Sequence, residues 1–295
     1  MAAREAAGGP RFVYPGLSDP RLVQIGILAT FTLIGKFALG FEVSWAQVAA
    51  AVLTACLLDA GLSYLRSNVV LVPASALVSG LSLGLLLRTP ELWPFLVAGA
   101  VTVAAKQFIR VGGGHVFNPS NFGLVVALAL PWAAGRVTPG QWGDSWVLLF
   151  LILNLGFFIV YRVRRLHVVA AFVAAFAVFG LLRSALDLSS VYSLQASLIS
   201  GSFLLFAFFM ITDPMTSPGT VKGRVIYAVA VAAVDAVLRS AGVPYSIFLA
   251  LVVVCALYAA WRAFYPEDTP RSVWQTRYRS LRGREEDDTQ PMQRR

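Results

Sequence analysis

Long, nearly uncharged apolar runs recur along this chain from about residue 22 to residue 264. A helix needs about 20 such residues to cross the hydrocarbon core of a bilayer, and backbone placed in lipid must satisfy its own hydrogen bonds. Repeated runs of this kind therefore constrain the chain to a bundle of membrane helices. Charged residues make up 13% of the sequence, about half the share usual in soluble domains, and mean hydropathy is +0.71. A formal charge of +9 would point to nucleic acid in a soluble protein. Here the basic residues sit mainly in loops and tails, where membrane topology and anionic lipid account for them.

The runs predict an all-α polytopic membrane protein of about ten transmembrane helices, at 22–41, 45–65, 69–87, 91–109, 118–132, 145–161, 167–183, 194–211, 223–239 and 243–264. Polar tails flank this domain, at 1–20 and 266–295. The first of these is polar and holds Pro10, Pro15 and Pro20, so no cleavable signal peptide is expected. With the N-terminus inside, inner connections carry Arg66, Lys106, Arg110, Arg162, Arg164, Arg165, Lys222 and Arg224. Outer connections carry only Arg88, Arg136, Arg183 and Arg239. Eight against four puts both termini in the cytoplasm of a cell whose inner membrane holds the protein. Trp45, Trp93, Trp132, Trp142 and Trp146 fall near span ends, as an interfacial belt requires. In the C-terminal tail, Trp274, Tyr278 and Leu281 lie among arginines. The stretch 271–284 reads either as a helix on anionic inner-leaflet lipid or as a tail balanced by Glu285, Glu286, Asp287 and Asp288.

The halves resemble one another. ALVSG at 76–80 answers SLISG at 197–201, Arg88-Thr89-Pro90 answers Thr212-Asp213-Pro214, and Ser120-Asn121-Phe122 answers Ser246-Ile247-Phe248. The offsets are 121, 123 to 124, and 126 residues, which carries span 3 onto span 8. An odd shift of five spans implies an inverted five-plus-five repeat, with halves at about 21–140 and 141–265. Such repeats place binding sites between the halves, near interrupted segments.

One interruption is RVGGGHVFNPSNFGLVV, 110–126. It lacks the Gly-Lys-Ser/Thr of a phosphate loop and the strand of a dinucleotide fold. Asn118-Pro119 is a helix start, since Asn caps well and Pro suits the first turn. Asp213-Pro214, in FFMITDPMTSPGTVKGR, is a second signature of the same kind. Together the two loops would gather Lys106, Arg110, His115, Asn118, Asn121, Asp213, Thr216, Ser217, Lys222 and Arg224 on the cytoplasmic face. These form either a ligand site or two capped helix starts with topological arginines. Within the spans, Lys36, Asp59 and Asp235 are costly in lipid and are functional candidates by default. Asp59 is the best candidate for an ion path, with Arg66 as a partner; Lys36 is either part of such a path or snorkels outward. Asp235 has Arg239 four residues on. Cys56 and Cys255 sit in apolar runs as packing residues. Two loop histidines supply neither a metal cluster nor a catalytic triad, so a self-contained enzyme is not expected.

AKQFIRVGGGHVFNPSNFGLVV and FFMITDPMTSPGTVKGRVIYA resemble the hallmark stretches of the NqrB/RnfD family, and SALVSGLSLGLLLRTP is similar to its third-span pattern. These are membrane subunits of sodium-pumping NADH:quinone reductase and of the Rnf electron-transport complex. The resemblance runs from about residue 20 to residue 264 and implies ten helices, an inverted repeat, flavin and quinone chemistry, and other membrane subunits or a homo-oligomer as partners. The family's electron-transfer members attach FMN covalently to a threonine in a Ser-Gly-Ala-Thr-like loop. No such motif occurs here, and Thr138 lacks it, so covalent FMN is not expected; non-covalent FMN, riboflavin or quinone stays open. A stand-alone branch, including membrane proteins of enediyne clusters, is more similar still. Two functions follow: an ion-translocating or electron-transport subunit, or a small-molecule transporter with no redox cofactor.

Overall fold

Each of these apolar runs coincides with helix in the structure, a computed structural model that describes residues 11–16, 19–67, 69–132, 134–137 and 146–265. Helix α1 (Pro20–Phe37) starts at Asp19, whose side chain accepts from Arg21 N–H. Helix α2 (Trp45–Ser67) opens on a reciprocal cap: Ser44 N–H donates to Gln47 Oε1 at 2.8 Å and Gln47 N–H to Ser44 Oγ at 3.1 Å. Then come α3 (Ala74–Leu86), α4 (Trp93–Phe108) and α5 (Pro119–Ala129). The second half holds α6 (Trp146–Arg162), α7 (Leu166–Ala185), α8 (Val191–Leu198), α9 (Gly201–Leu205), α10 (Val221–Ser240) and α11 (Ser246–Phe264). Helix α9 runs on as a π-helical turn, Phe206–Met210.

Two small sheets complete the described part. Strand β1 (Arg11–Val13) pairs in parallel with β2 (Val69–Leu71), and β3 (Arg110–Val111) pairs antiparallel with β4 (Gly114–His115). The first pair explains why the third helix begins at Ala74 rather than at 69. Pro73 has no N–H to donate and disfavours helical backbone at the residue before it, so 69–71 extends and pairs instead. The fifth helix is likewise shorter than the expected 118–132. The eighth expected span is broken: its two parts bend by 56° about Ile199–Ser200.

By length and composition, α2, α7 and α11 are long and apolar enough to cross a membrane, and the bent α8–α9 pair makes a fourth when taken as one span. Apolar but shorter are α3, α5 and most of α6. Ten full crossings are thus not what the helix lengths alone give. The packing is nonetheless regular. Helix α2 packs on α3 and α4, as α7 packs on α8 and α10; α4 packs on α5 as α10 packs on α11; α1 meets α3 as α6 meets α9. Helices α5 and α11 meet each other. Leu28, Phe31, Leu83, Leu124, Phe172, Phe206 and Leu251 are buried in one continuous core along this seam. Trp45, Trp93 and Trp132 are exposed. The tail 271–284 and its acidic end, Trp142 and Thr138 lie outside the described residues.

Candidate polar junction between the two halves

The three consecutive glycines do two different things. Gly112 and Gly113 have φ of +58° and +80° and form the two-residue turn between β3 and β4, a hairpin turn that requires left-handed backbone at both positions. Gly114 instead permits close approach. A Cβ there would lie 3.2 Å from Met215 Cε and 3.5 Å from Arg262 Nη1. The hairpin can therefore lie down on the Asp213 loop and the end of α11. Arg110 straps it from outside, donating to the Gly113 carbonyl.

With the hairpin seated, His115 Nε2 stands 3.2 Å from Asp213 Oδ2. Asn118 adds two bonds from its amide, to Asp213 Oδ2 and to the Met210 carbonyl, each at 3.3 Å. Its Oδ1 meanwhile caps α5, accepting from Asn121 N–H at 3.0 Å. One side chain thus starts a helix of the first half and grips the broken span of the second. Asn121 makes a further crossing bond, from Nδ2 to the Phe248 carbonyl at 2.9 Å.

The Asp213 loop is folded on itself. Asp213 Oδ1 accepts from Met215 N–H at 2.9 Å, a turn typical of Asp. Ser217 Oγ donates to the Asp213 carbonyl at 2.8 Å and accepts from Arg165 Nη1 at 2.7 Å. Arg224 donates to the carbonyls of Pro218 and Gly219 at 2.9 and 2.8 Å. Thr216 is fully buried beside the Tyr227 hydroxyl and the Cys255 thiol, which are 3.2 Å apart. Burial alone would raise the Asp213 carboxyl. The facing His115, the hydrogen bonds from it and from Met215 N–H, and the Arg165 charge hold it below the ordinary aspartate range. Arg165 moves the other way: burial, and then the charge of Arg224, lower its guanidinium to about 10, against the pull of Asp213.

Of the residues singled out in the sequence, the structure brings His115, Asn118, Asp213, Thr216 and Ser217 together. Asn121 lies one helical turn on. Arg110 and Arg224 hold their own loops in shape, and Lys222 is exposed. Lys106 is elsewhere: its Nζ lies 2.8 Å from Asp59 Oδ2 and 2.6 Å from Ser75 Oγ, in a cluster between α2, α3 and α4. Asp59 pairs with Lys106 and Gln107 rather than with Arg66, which donates to Gln107. Lys36 donates to the carbonyls of Phe41 and Val43 at 2.8 and 2.7 Å, closing the end of α1. Asp235 pairs with Arg239 at 3.3 Å and accepts from Ser246 Oγ at 2.6 Å.

Four further residues shape the junction. Arg165 reads in sequence as a topological charge, Cys255 as packing, and Tyr227 as one more apolar position. Arg262, only 2% exposed, has no hydrogen-bond partner on any of its three nitrogens. Its position inside the last apolar run, four residues after Tyr258, is the signal that marks it, because a helix stacks such residues. No group of three His, Cys, Asp or Glu residues that could hold a metal ion exists among the described residues. The junction offers an ionised carboxylate between an imidazole and an amide, with a guanidinium nearby. It can exchange a proton and donate hydrogen bonds to oxygen acceptors.

Comparison with known proteins bears on this arrangement. Residues 131–262, which include the Asp213 loop, match the NQR2, RnfD, RnfE family. The chain is 34% identical over 115 residues to the D subunit of the ion-translocating oxidoreductase complex of Erwinia tasmaniensis, covering 39% of this chain and 32% of that one. The protein of the same name from Halorhodospira halophila is 31% identical over 147 residues, covering 50% and 40%. That from Vibrio atlanticus is 31% identical over 111 residues, covering 38% and 30%. The matched segments therefore span less than half the length of each of these curated relatives.

Proposed function

We propose that the chain, whose residues 131–262 match the NQR2, RnfD, RnfE family, is a member of it and an integral inner-membrane subunit of an ion-translocating oxidoreductase assembly. In this reading other membrane subunits are its partners. Its working site is the junction of His115, Asn118, Asp213 and Thr216. The observation that carries the reading is the hydrogen bonding of Asn118 and His115, from the first half, to Asp213, from the second. A site that needs both halves is where relative motion of the halves would be coupled to chemistry.

The inverted five-plus-five repeat belongs to this proposal, supported by the matching packing of the two halves. So does the cytoplasmic placement of the junction and both termini. Non-covalent flavin or quinone fits the chemistry of the donor set, because the buried nitrogens of Arg262 lack an acceptor and such groups present ring carbonyl oxygens. When bound, a group of that kind supplies electron transfer. His115 and Arg262 would hold its oxygens, both N–H groups of Asn118 being already given to Asp213 and Met210. The Asp213 carboxylate keeps His115 oriented. Covalent attachment is not proposed, since the threonine motif is missing from the sequence.

The test starts from protein purified in mild detergent, by visible spectroscopy before and after acid precipitation. We expect a flavin signature that precipitation releases into the supernatant. Flavin retained in the pellet would overturn the non-covalent assignment. Protein with no chromophore that moves solutes across liposomes would favour the transporter function instead. Asn118→Ala with Asp213→Ala should abolish activity and leave a folded protein; full activity would reduce Asn118 to a helix cap and Asp213 to a turn residue.

A further inference from the structure

A guanidinium that is only 2% exposed, with all three nitrogens unpartnered, is rarely tolerated. Buried charge persists where something pairs with it. Arg262 sits with its carbon 5.0 Å above the Tyr258 ring, which leaves the N–H edges free to point elsewhere. Next to Nη1 is the backbone of Gly114, which packs so closely that a Cβ there would stand 3.5 Å from Nη1 and 3.2 Å from Met215 Cε. Arg224 is within electrostatic reach of both Arg165 and Tyr258, and Asp213 is already engaged by His115, Asn118 and Met215. No carboxylate among the described residues lies within ion-pair distance of Arg262.

We propose that Arg262 anchors an oxyanion site beneath the β3–β4 hairpin that takes a phosphate group. A guanidinium presents paired N–H donors that match two oxygens of one phosphate. The phosphate is carried either by a soluble phosphorylated molecule or by an anionic lipid headgroup. The second source is within reach because Trp261, Phe264 and Tyr265 around Arg262 are exposed aromatic residues of the kind that sit at a bilayer interface. This inference rests on the junction being a ligand site but not on its redox assignment, and it gives the Arg262 nitrogens to phosphate oxygens rather than to a ring carbonyl.

The experiment is a thermal-stability titration of the full chain, delipidated in a neutral detergent at constant ionic strength. The probes are inorganic phosphate, pyrophosphate and mixed micelles containing phosphatidylglycerol, with chloride and phosphatidylcholine as controls. We expect saturable stabilisation by at least one phosphate-bearing probe, of about 5 °C at a hundredfold excess over its dissociation constant. Arg262→Gln should weaken it by about tenfold or more, Arg262→Lys should weaken it less, and Gly114→Val should block it. Without ligand, Arg262→Gln should melt no lower than the wild type, because it removes an unpaired charge. Response to phosphate and pyrophosphate alone identifies a soluble ligand; response to phosphatidylglycerol alone identifies lipid. Equal responses in wild type and Arg262→Gln, or none in the wild type, would overturn the proposal. A response lost in Arg262→Gln would stand even if no chromophore were found.

Discussion

A carboxylate on an apolar helix needs a partner that also has no better place to go. Asp59, 9% exposed at its side chain, has Lys106 at 2.8 Å, itself bonded to Ser75. Lys106→Met should therefore cost about 3–5 kcal/mol, because it strands the carboxylate, whereas Asp59→Leu with Lys106→Met should cost much less. Unfolding of the wild type and the two variants in detergent would check this; equal costs for single and double variants would show that the pair does not hold α2 to α4. Asp213 makes a prediction of the opposite polarity in pH. Its carboxyl is held below the ordinary value of about 3.9. The stabilisation it gives is therefore complete above that value and lost as pH falls through the lower, folded one. Melting temperatures of wild type and Asp213→Asn should differ most at neutral pH and converge below about pH 4. Asn118 was legible in the sequence because Asn-Pro is a helix-start word with a local cause; Asp213-Pro214 read the same way, but Asp213 makes a turn with Met215 N–H instead, and the next helix starts at Val221 under a Thr220 cap. The Lys106–Asp59 pair was not, because 47 residues separate its members and only the crossing of α2 and α4 brings them together.

At the scale of elements, hydrophobic runs located the helices but not their breaks. Transfer free energy depends on side chains, and residues 194–211 carry no charge and are mostly apolar, so hydropathy runs straight across Ile199–Ser200. The break is local: Ser200 Oγ accepts from Phe203 N–H at 3.3 Å and caps a new helix. The matching word at 76–80 lies inside an unbroken α3, so similar words here have different backbones. Close helix crossings were also hidden. At Gly123 on α5 a Cβ would stand 2.2 Å from Thr102 Oγ1 and 2.5 Å from the Ala98 carbonyl, both on α4. Backbone cannot yield as a flexible side chain can, so Gly123→Ala should force α5 away from α4. The expected cost is about 1–3 kcal/mol. Because α5 begins at Asn118, the same variant should weaken ligand binding at the junction, while Gly26→Ala, in open space on α1, should change neither. Parallel melting and binding curves for the two variants decide this.

Across the whole molecule, side chains assigned to one membrane face by the positive-inside count repeatedly find each other. The backbones of Arg88 and Arg136 pair in a bridge, and Arg183 donates to Ser240, all expected outside. Arg66 donates to Gln107 and Arg165 to Ser217, all expected inside. Loops that were independent in the count thus segregate into two polar ends, which a wrong assignment of even one helix direction would have mixed. This gives the topology a direct test. Single cysteines at Arg136 and Gly219 should behave oppositely toward a membrane-impermeant maleimide applied to spheroplasts. The native thiols lie within helices, Cys255 buried and Cys56 half-buried, so their background should be low. Arg136→Cys should label in intact spheroplasts, and Gly219→Cys, in the loop that carries Asp213, only after permeabilisation. The reverse pattern would move the junction to the outer face. Labelling of both from one side would break the odd five-span shift, and with it the inverted relation between the halves that places Asn118 opposite Asp213.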